Sequence, residues 1–447
     1  MLDNILRFFR EKVIPGPIFR FFQPAYHVLL ALIAAVRHGF PSRKLIVIGV
    51  TGTNGKSTTV AILHELLRAS GHRVGSLSSL RFRVNDEEKI NAWKMTMPGR
   101  GFTQKFLADC VREKCEYAIL EVTSEGIRQF RHAFINFDCA VFTNLTPEHI
   151  ESHGSFEAYR AAKVRLFQRT AKSGRKRISG KPIPKVIVVN IDDPEHAHFL
   201  AHGADSYVGF TLQGREEKSL RPVSISDVRE GKDGISFSYN GEAFHSSLHG
   251  GFNAANIAAA IAAFREFGGD TSAIGNGLKR IENVPGRFEY IEGSQPFDVI
   301  VDYAFTPNAL TKAYASARAS QSNKSRSMIC VLGAAGGGRD AWKRPVLGEI
   351  ASKFCDHIIL ADEDPYDENP QSILSDIEKG IRSREKCEKI LNRVAAIERA
   401  ISLAQEGDVV MLTGKGAEPW IVGPHGKKIP WDERKTAQEA LARRGFN

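Results

Sequence analysis

"KLIVIGVTGTNGKSTT" occupies residues 44–59. Its first half is an apolar, β-branched run that predicts a buried strand. Its second half is small and polar, and it opens onto "TTVAILHELLRAS" (58–70), which has a helical apolar period. Strand, glycine-rich turn, Lys-Ser and helix make a phosphate-binding loop. Small residues let main-chain N–H groups close around phosphate oxygens, and the helix start adds partial positive charge. In such a loop Lys56 reaches the β/γ-phosphates and Ser57 holds Mg²⁺. The strict spacing asks for glycine at 50, where Val50 stands; the glycines fall at 49, 52 and 55. ATP is the expected cofactor, cradled by Gly52, Thr53, Asn54, Gly55, Lys56, Ser57 and Thr58.

Outward from the loop, apolar strands alternate with helical stretches: "EYAILEV" (116–122), "CAVFTNL" (139–145), "FEAYRAAKVRLFQR" (156–169) and "VIVVNIDD" (186–193). That alternation predicts a mostly parallel sheet covered on both faces. Short polar–apolar alternations in 205–250 predict an antiparallel patch. A second α/β pattern, Rossmann-like, runs through "FDVIVDY" (297–303), "SMICVLGA" (327–334), "HIILADE" (357–363) and "DVVMLTG" (408–414). The expected organisation is a helical, amphipathic segment over 1–44, a central α/β domain over 45–284 and a C-terminal α/β domain over 285–447. The basic stretch "KSGRKRISGKPIPK" (172–185) reads as an exposed loop.

The 447 residues are 42% hydrophobic and 25% charged, with net charge +10. The excess suits anionic substrates such as nucleotides; no aromatic-plus-basic RNA motif accompanies it, so nucleic acid is not an expected partner. Six cysteines without a CxxC pair are expected as buried thiols of a reducing cytoplasm. "AYHVLLALIAAV" (25–36) is too short to span a bilayer and too far from the start for a signal peptide. "LRFFREKVIPGPIFRFF" (6–22) interleaves Phe with Arg and Lys. It can lie on the inner membrane face, dock a protein partner, or pack on the first domain.

Glu121 closes a predicted strand, where α/β sites are built. His149, in "VFTNLTPEHIESHG" (141–154), follows another. With Ser57 they form a candidate metal–phosphate site. Lys163 adds to it. Wound at 100° per residue, Phe156 and Phe167 fall about 20° and 40° to one side of Lys163, and Tyr159 about 40° to the other. A lysine inside an apolar stripe loses its proton, finds an anion, is modified, or snorkels out.

Together these segments resemble the Mur ligase family, ATP-dependent amide-forming enzymes of peptidoglycan precursor synthesis. "GVTGTNGKSTT", "EVTSEG", "NLTPEHIESHG" and "YRAAKVRLF" match its motifs in order and spacing, including the non-glycine at 50. The resemblance implies that Lys163 is carbamylated, and that Ser57, Glu121, His149 and Lys163 serve two Mg²⁺ ions. It implies Asn253 and Asn256 near the adenine, Arg287 against the nucleotide and Asp302 on the ribose. "KMTMPGR" (94–100, with Thr96), Ser124, Gln129 and Arg131 resemble contacts to a muramoyl-peptide acceptor. "GAAGGGRDAWKRP" and "TGKGAEPW" resemble segments of the tripeptide-forming members that hold the incoming amino acid. There Arg339 takes the carboxylate and Glu418 the amine, with Asp364, Tyr366 and Gly414 beside them.

Departures accompany the match. Members usually carry an N-terminal uridine-binding domain, and only 48 residues precede Gly49. The family's "DNPR" segment, which recognises diaminopimelate, reads "DEDPYDENP" (362–370), with Tyr366 in place of its arginine. Lysine, ornithine or a smaller amino acid is therefore expected to serve at least as well as meso-diaminopimelate. Two other readings stand beside the tripeptide-synthetase one. One is another ligase of the superfamily, such as a folylpolyglutamate synthase or a lipid II amidotransferase subunit. The other is a non-enzymatic nucleotide-binding assembly protein.

Overall fold

The computed structural model describes residues 16–93, 95–99, 101–321 and 325–446. Phe8, Phe9 and the other residues of 1–15 invoked for the amphipathic segment lie outside these. The described part opens with helix α1 (Gly16–Arg37) and a 3₁₀ turn, Pro41–Lys44.

The first sheet has eleven strands in the order β13-β12-β11-β10-β9-β6-β1-β5-β2-β3-β4. They are β1 (Ile46–Thr51), β2 (Val74–Leu77), β3 (Arg81–Val84), β4 (Glu87–Ile90), β5 (Tyr117–Glu121), β6 (Cys139–Phe142), β9 (Val186–Asn190), β10 (Ser206–Thr211), β11 (Arg221–Gly231), β12 (Gly234–Tyr239) and β13 (Glu242–Ser246). The run from β2 to β11 is parallel, and the outer pairs at each end are antiparallel. The predicted antiparallel patch is β11–β13; β10, inside the same span, joins the parallel run. All six residues of β1 are buried, because helices cover both faces of a parallel sheet. Helix α2 (Lys56–Ala69) and α4 (Asn253–Glu266) cover one face and α3 (Phe156–Lys172) the other.

The second sheet, β14-β15-β19-β16-β17-β18, begins at Glu289. It holds β14 (Glu289–Tyr290), β15 (Asp298–Asp302), β16 (Met328–Leu332), β17 (His357–Leu360), β18 (Cys387–Lys389) and β19 (Val409–Thr413), parallel except for β14.

Two expectations are corrected. The basic stretch 172–185 is not an exposed loop: it carries a hairpin of β7 (Lys176–Ile178) and β8 (Lys181–Ile183). Buried Asp138 draws in both flanking lysines, with Nζ–carboxylate distances of 2.5 Å to Lys176 and 3.0 Å to Lys185. Lys176 also donates to the carbonyls of Ser42, Leu45 and Asn136. Burial lowers its ammonium to about 8, against the pull of Asp138. Second, the cysteines are not all thiols. Cys330 and Cys355 are joined in a disulfide, with Cα atoms 6.1 Å apart. Strand β16 carries Cys330, and Cys355 lies just before its neighbour β17, which is why they meet.

Candidate active site

Parallel strands place their C-terminal ends at one edge. Val50 of β1 lies level with Glu121 of β5 and Val141 of β6, and Thr51 with Phe142. The glycine-rich loop, the Glu121 carboxylate and the segment after β6 therefore meet. Loops of the second sheet, after Asp302, Leu332, Leu360 and Thr413, face them across a crevice of about 620 Å³.

The loop is braced from behind. Asn54 N–H donates to Asn144 Oδ1 (2.9 Å), while Thr143 Oγ1 and Asn144 Nδ2 donate to Asn54 O (2.7 and 3.0 Å). Gly52 is required twice over: its φ is +154°, and a Cβ would fall onto Thr143 Oγ1. At Gly55, φ +83°, a Cβ would fall onto Asn256 Oδ1. Helix α2 starts at once after it, so the first main-chain N–H groups lack intrahelical acceptors and face the crevice as an anion cradle.

Lys56 Nζ donates to the carbonyls of Gly52 (3.1 Å) and Thr53 (2.8 Å). Burial lowers its ammonium, and Glu121 opposes that shift. Ser57 Oγ donates to Glu121 Oε2 (2.9 Å), which also accepts from Ser79 N–H (2.8 Å); the two hydroxyls lie 2.8 Å apart. These are hard oxygen donors, and their chemistry fits Mg²⁺.

Lys163 is buried on α3, as the helical winding requires if it stays among the aromatics. Its Nζ donates to Gly52 O (2.7 Å) and sits 4.6 Å from the Tyr159 ring centroid. No carboxylate lies within ion-pair distance among the described residues. Burial holds its ammonium well below the usual range, and Lys56 lowers it further. Arg160, the neighbour expected to snorkel, reaches Glu195 at 2.7 Å.

His149 has φ +56° and opens on the crevice. Desolvation there, then Lys163 and Lys56, push its imidazole down to about 3, so it is neutral. Glu148 is buried and pairs with Lys343 (3.1 Å), leaving Oε2 without a donor among the described residues. Glu148, His149 and Asp340 have ligand atoms within 4.8 Å of one another. Asp340 comes from the second sheet's side. Its carboxylate accepts from the amides of His149 (2.6 Å) and Glu151 (3.3 Å). Glu151 in return accepts from the amides of Asp340 (2.6 Å) and Ala341 (3.0 Å).

Asn256 donates to Asn253 Oδ1 (2.6 Å), and Asn253 to His249 O (2.7 Å). Arg287 lies 4.3 Å over the Tyr303 ring. Asp302 accepts from Phe288 N–H and Ala304 N–H, both at 2.7 Å; burial raises its carboxyl to about 6. Glu418 accepts from Tyr303 Oη and Lys415 Nζ, both at 2.8 Å, and Lys415 also donates to Asp364 (3.0 Å). Arg339 lies 4.8 Å over Tyr366. Arg131 donates to Met97 O and to Gln129 Oε1.

Most of the residues singled out in the sequence therefore line one crevice: Thr53 to Thr58, Thr96, Glu121, Ser124, Arg131, His149, Asn256, Arg287, Asp302, Arg339, Asp364 and Glu418. Gly52, Gln129, Lys163, Asn253, Tyr366 and Gly414 stand behind this wall and support it. Sequence reasoning missed Ser79, Thr143, Asn144 and Asp340. Thr143 and Asn144 lie within "VFTNLTPEHIESHG" and Asp340 within "GAAGGGRDAWKRP" without being singled out, while Ser79 lies in no motif; strand order and the meeting of the two sheets bring them in.

Residues 50–264 match the model of the Mur ligase middle domain, and residues 286–416 that of the Mur ligase glutamate ligase domain. The chain is 37% identical over 445 residues to a UDP-N-acetylmuramyl-tripeptide synthetase of Roseiflexus sp. (strain RS-1), covering 97% of this chain and 85% of that one. It is 36% identical to a UDP-N-acetylmuramoyl-L-alanyl-D-glutamate–2,6-diaminopimelate ligase of Geobacillus kaustophilus, covering 93% and 83%. A solved structure of a ligase with that same substrate name superposes with TM-score 0.60 at 27% identity, covering 90% and 79%. A folylpolyglutamate synthase of Mycobacterium tuberculosis superposes with TM-score 0.67 at 18% identity, covering 87% and 92%, and so shares the fold.

Proposed function

The chain belongs to the Mur ligase family of ATP- and Mg²⁺-dependent acid–amino-acid ligases, and we propose that it joins an amino acid to a muramoyl-dipeptide acceptor. The observation that carries this reading is the facing of two loop sets across one crevice. A phosphate cradle with Lys56 stands on one side, and Arg339 and Glu418 stand on the other. The acceptor carboxylate takes the γ-phosphoryl group of ATP, giving an acyl phosphate and ADP. The incoming amine adds to the acyl carbon, loses a proton and expels phosphate.

In this reading Lys56 offsets charge on the transferred group, Arg287 and Asp302 hold the nucleotide, and Thr96, Ser124 and Arg131 the acceptor. Arg339 grips the carboxylate of the incoming amino acid, as a guanidinium does through paired hydrogen bonds. Ser57 and Glu121 would hold one magnesium ion, and His149 with carbamylated Lys163 a second; bound there, the ions would offset phosphoryl charge. Neutral Lys163 adds CO₂ and releases a proton, which converts an unpaired buried amine into an anion. The proposed domain limits, 45–284 and 285–447, follow the two sheets: β13 ends at Ser246 and β14 begins at Glu289.

The test is ADP release measured across an amino-acid panel, with muramoyl-dipeptide acceptor and product mass. Amide product with acceptor-dependent ADP is expected. ADP formation indifferent to acceptor and amino acid would overturn the ligase reading.

Residues 1–44 supply a peripheral contact with the inner membrane face. Helix α1 buries Ala34 and Ala35 and leaves Leu29, Leu32, Ile33 and Val36 exposed. At 100° per residue those four fall within about 100° of one another, on the side away from the alanines. No helix of the described residues is long and apolar enough to cross a membrane, so α1 would lie on the surface. Each nearby basic residue, such as Arg37, Arg43 or Lys44, is worth about 1 kcal/mol against an anionic leaflet. The full chain is expected to float with phosphatidylglycerol vesicles at low salt and to be released at high salt. A variant starting at Ser42, or one carrying Leu29→Ser, Ile33→Ser and Val36→Ser, should stay behind. Equal flotation of all three ends the membrane reading.

A further inference from the structure

Besides the contact of residues 148–151 with residues 340–343, one side chain makes a second bridge between the two halves of the crevice. Trp420 Nε1 donates to Ala92 O at 3.0 Å, between residues 328 apart in the chain. The two ends of this bond belong to segments assigned above to different substrates.

Trp420 opens a hairpin of β20 (Trp420–Val422) and β21 (Lys428–Pro430). The hairpin is pinned to the wall assigned to the incoming amino acid. Lys415 Nζ donates to Trp420 O (2.7 Å), and also to Glu418 and Asp364. Val422 N–H donates to Asp364 Oδ1 (2.8 Å), and Tyr366 N–H to Val422 O (3.0 Å). The indole therefore cannot shift far without Glu418, Asp364 and Tyr366.

Ala92 lies just before Met95 and Thr96, in the segment assigned to the acceptor. Asn91, only 2% exposed, holds this segment in shape. Its Nδ2 donates to Ser78 O and to Met95 O, both at 3.0 Å, and its Oδ1 accepts from Trp93 N–H at 3.1 Å. The Trp93 ring lies 4.7 Å from that of Phe102 and 6.4 Å from that of Phe82. The first half of the molecule thus fastens the chain on both sides of Ala92, and the Ala92 carbonyl meets the indole of the second half.

Resting on the ligase reading, we infer that Trp420 is a positioning residue whose indole N–H couples the acceptor segment to the amino-acid wall, so that each substrate strengthens the binding of the other. An indole nitrogen donates one hydrogen bond and accepts none. This bond is made only when the two halves stand in register. A substrate that holds either half in that register makes the other half easier to hold, and by linkage the effect is mutual and equal. The acyl carbon and the amine that attacks it are carried by the two segments so joined, and their register sets the distance of attack. The coupling should have the size of one net hydrogen bond, about fivefold.

Trp420→Phe keeps an aromatic ring on the hairpin and removes the donor. The phosphate cradle is braced by Thr143 and Asn144 and does not include this bond. Thermal stabilisation by ATP, and KM for ATP, should therefore be unmoved in the variant. The experiment titrates a UDP-linked muramoyl dipeptide into the full chain with Mg²⁺ and a non-hydrolysable ATP analogue. It is run without amino acid, with L-lysine and with meso-diaminopimelate. In wild type at least one amino acid should tighten the dipeptide by about fivefold; in Trp420→Phe neither should. In steady state the variant's KM should rise for acceptor and amino acid alike, by about fivefold. Undiminished tightening in the variant, or no tightening by either amino acid in wild type, overturns the coupling while the ligase reading stands. So does a KM for ATP that rises with the other two, the mark of a general loosening. No amide product across the amino-acid panel overturns both.

Discussion

Lys56→Ala is expected to lower ATP turnover by on the order of 10²-fold or more, the loss common when a preorganised charge is removed from a transferring group. Lys56 is anchored on the carbonyls of Gly52 and Thr53, so its ammonium is held at the loop. Lys56→Arg should not rescue, because a broad, planar, delocalised fork does not reproduce a compact point charge. The main-chain cradle survives both substitutions, so ATP binding should weaken less than kcat falls. Steady-state kinetics beside nucleotide titration separate the two. Turnover within a few-fold of wild type would remove Lys56 from the chemistry.

Lys163→Ala should be of comparable severity, on the order of 10²-fold, if the carbamate supplies charge at the phosphoryl site. Burial, and then Lys56, pull its ammonium well below the usual lysine range. The sign follows: with the folded-state ammonium pulled well below its unfolded value, the share of neutral amine at a given pH rises, and that is the form that adds CO₂. Short carboxylates such as acetate or formate at millimolar concentration should partly restore the variant, because they refill the missing anion. Depleting bicarbonate should depress the wild type. Full activity without bicarbonate, together with an unmodified Lys163 by mass spectrometry of the native protein, would leave the lysine a structural role.

The parts legible in the sequence were those carried by short-range pattern. The strand–glycine–Lys-Ser–helix run located the cradle, and a 100° winding placed Lys163 on the aromatic side of its helix, where it lies over Tyr159. Glu121 was legible because it ends a strand. Ser79, Thr143 and Asn144 were not, because their position depends on β2 and β6 lying near β1, which no local pattern states. The segment 172–185 misled through composition: its lysines look solvated until Asp138, far back along the chain, is brought under them. The Cys330–Cys355 bond has a separation of 25 residues and no motif; strand adjacency alone makes it.

Where residues 148–151 meet residues 340–343, each side offers carboxylates and the other answers with main-chain amides. Main-chain amides survive every substitution but proline, so it is the acids that an ordinary substitution removes. If Asp340 is lost, the amides of His149 and Glu151 no longer have it as acceptor; if Glu151 is lost, the same holds for those of Asp340 and Ala341. Replacing one acid leaves the other's own bonds in place, so the seam has two separable halves and should weaken in two steps.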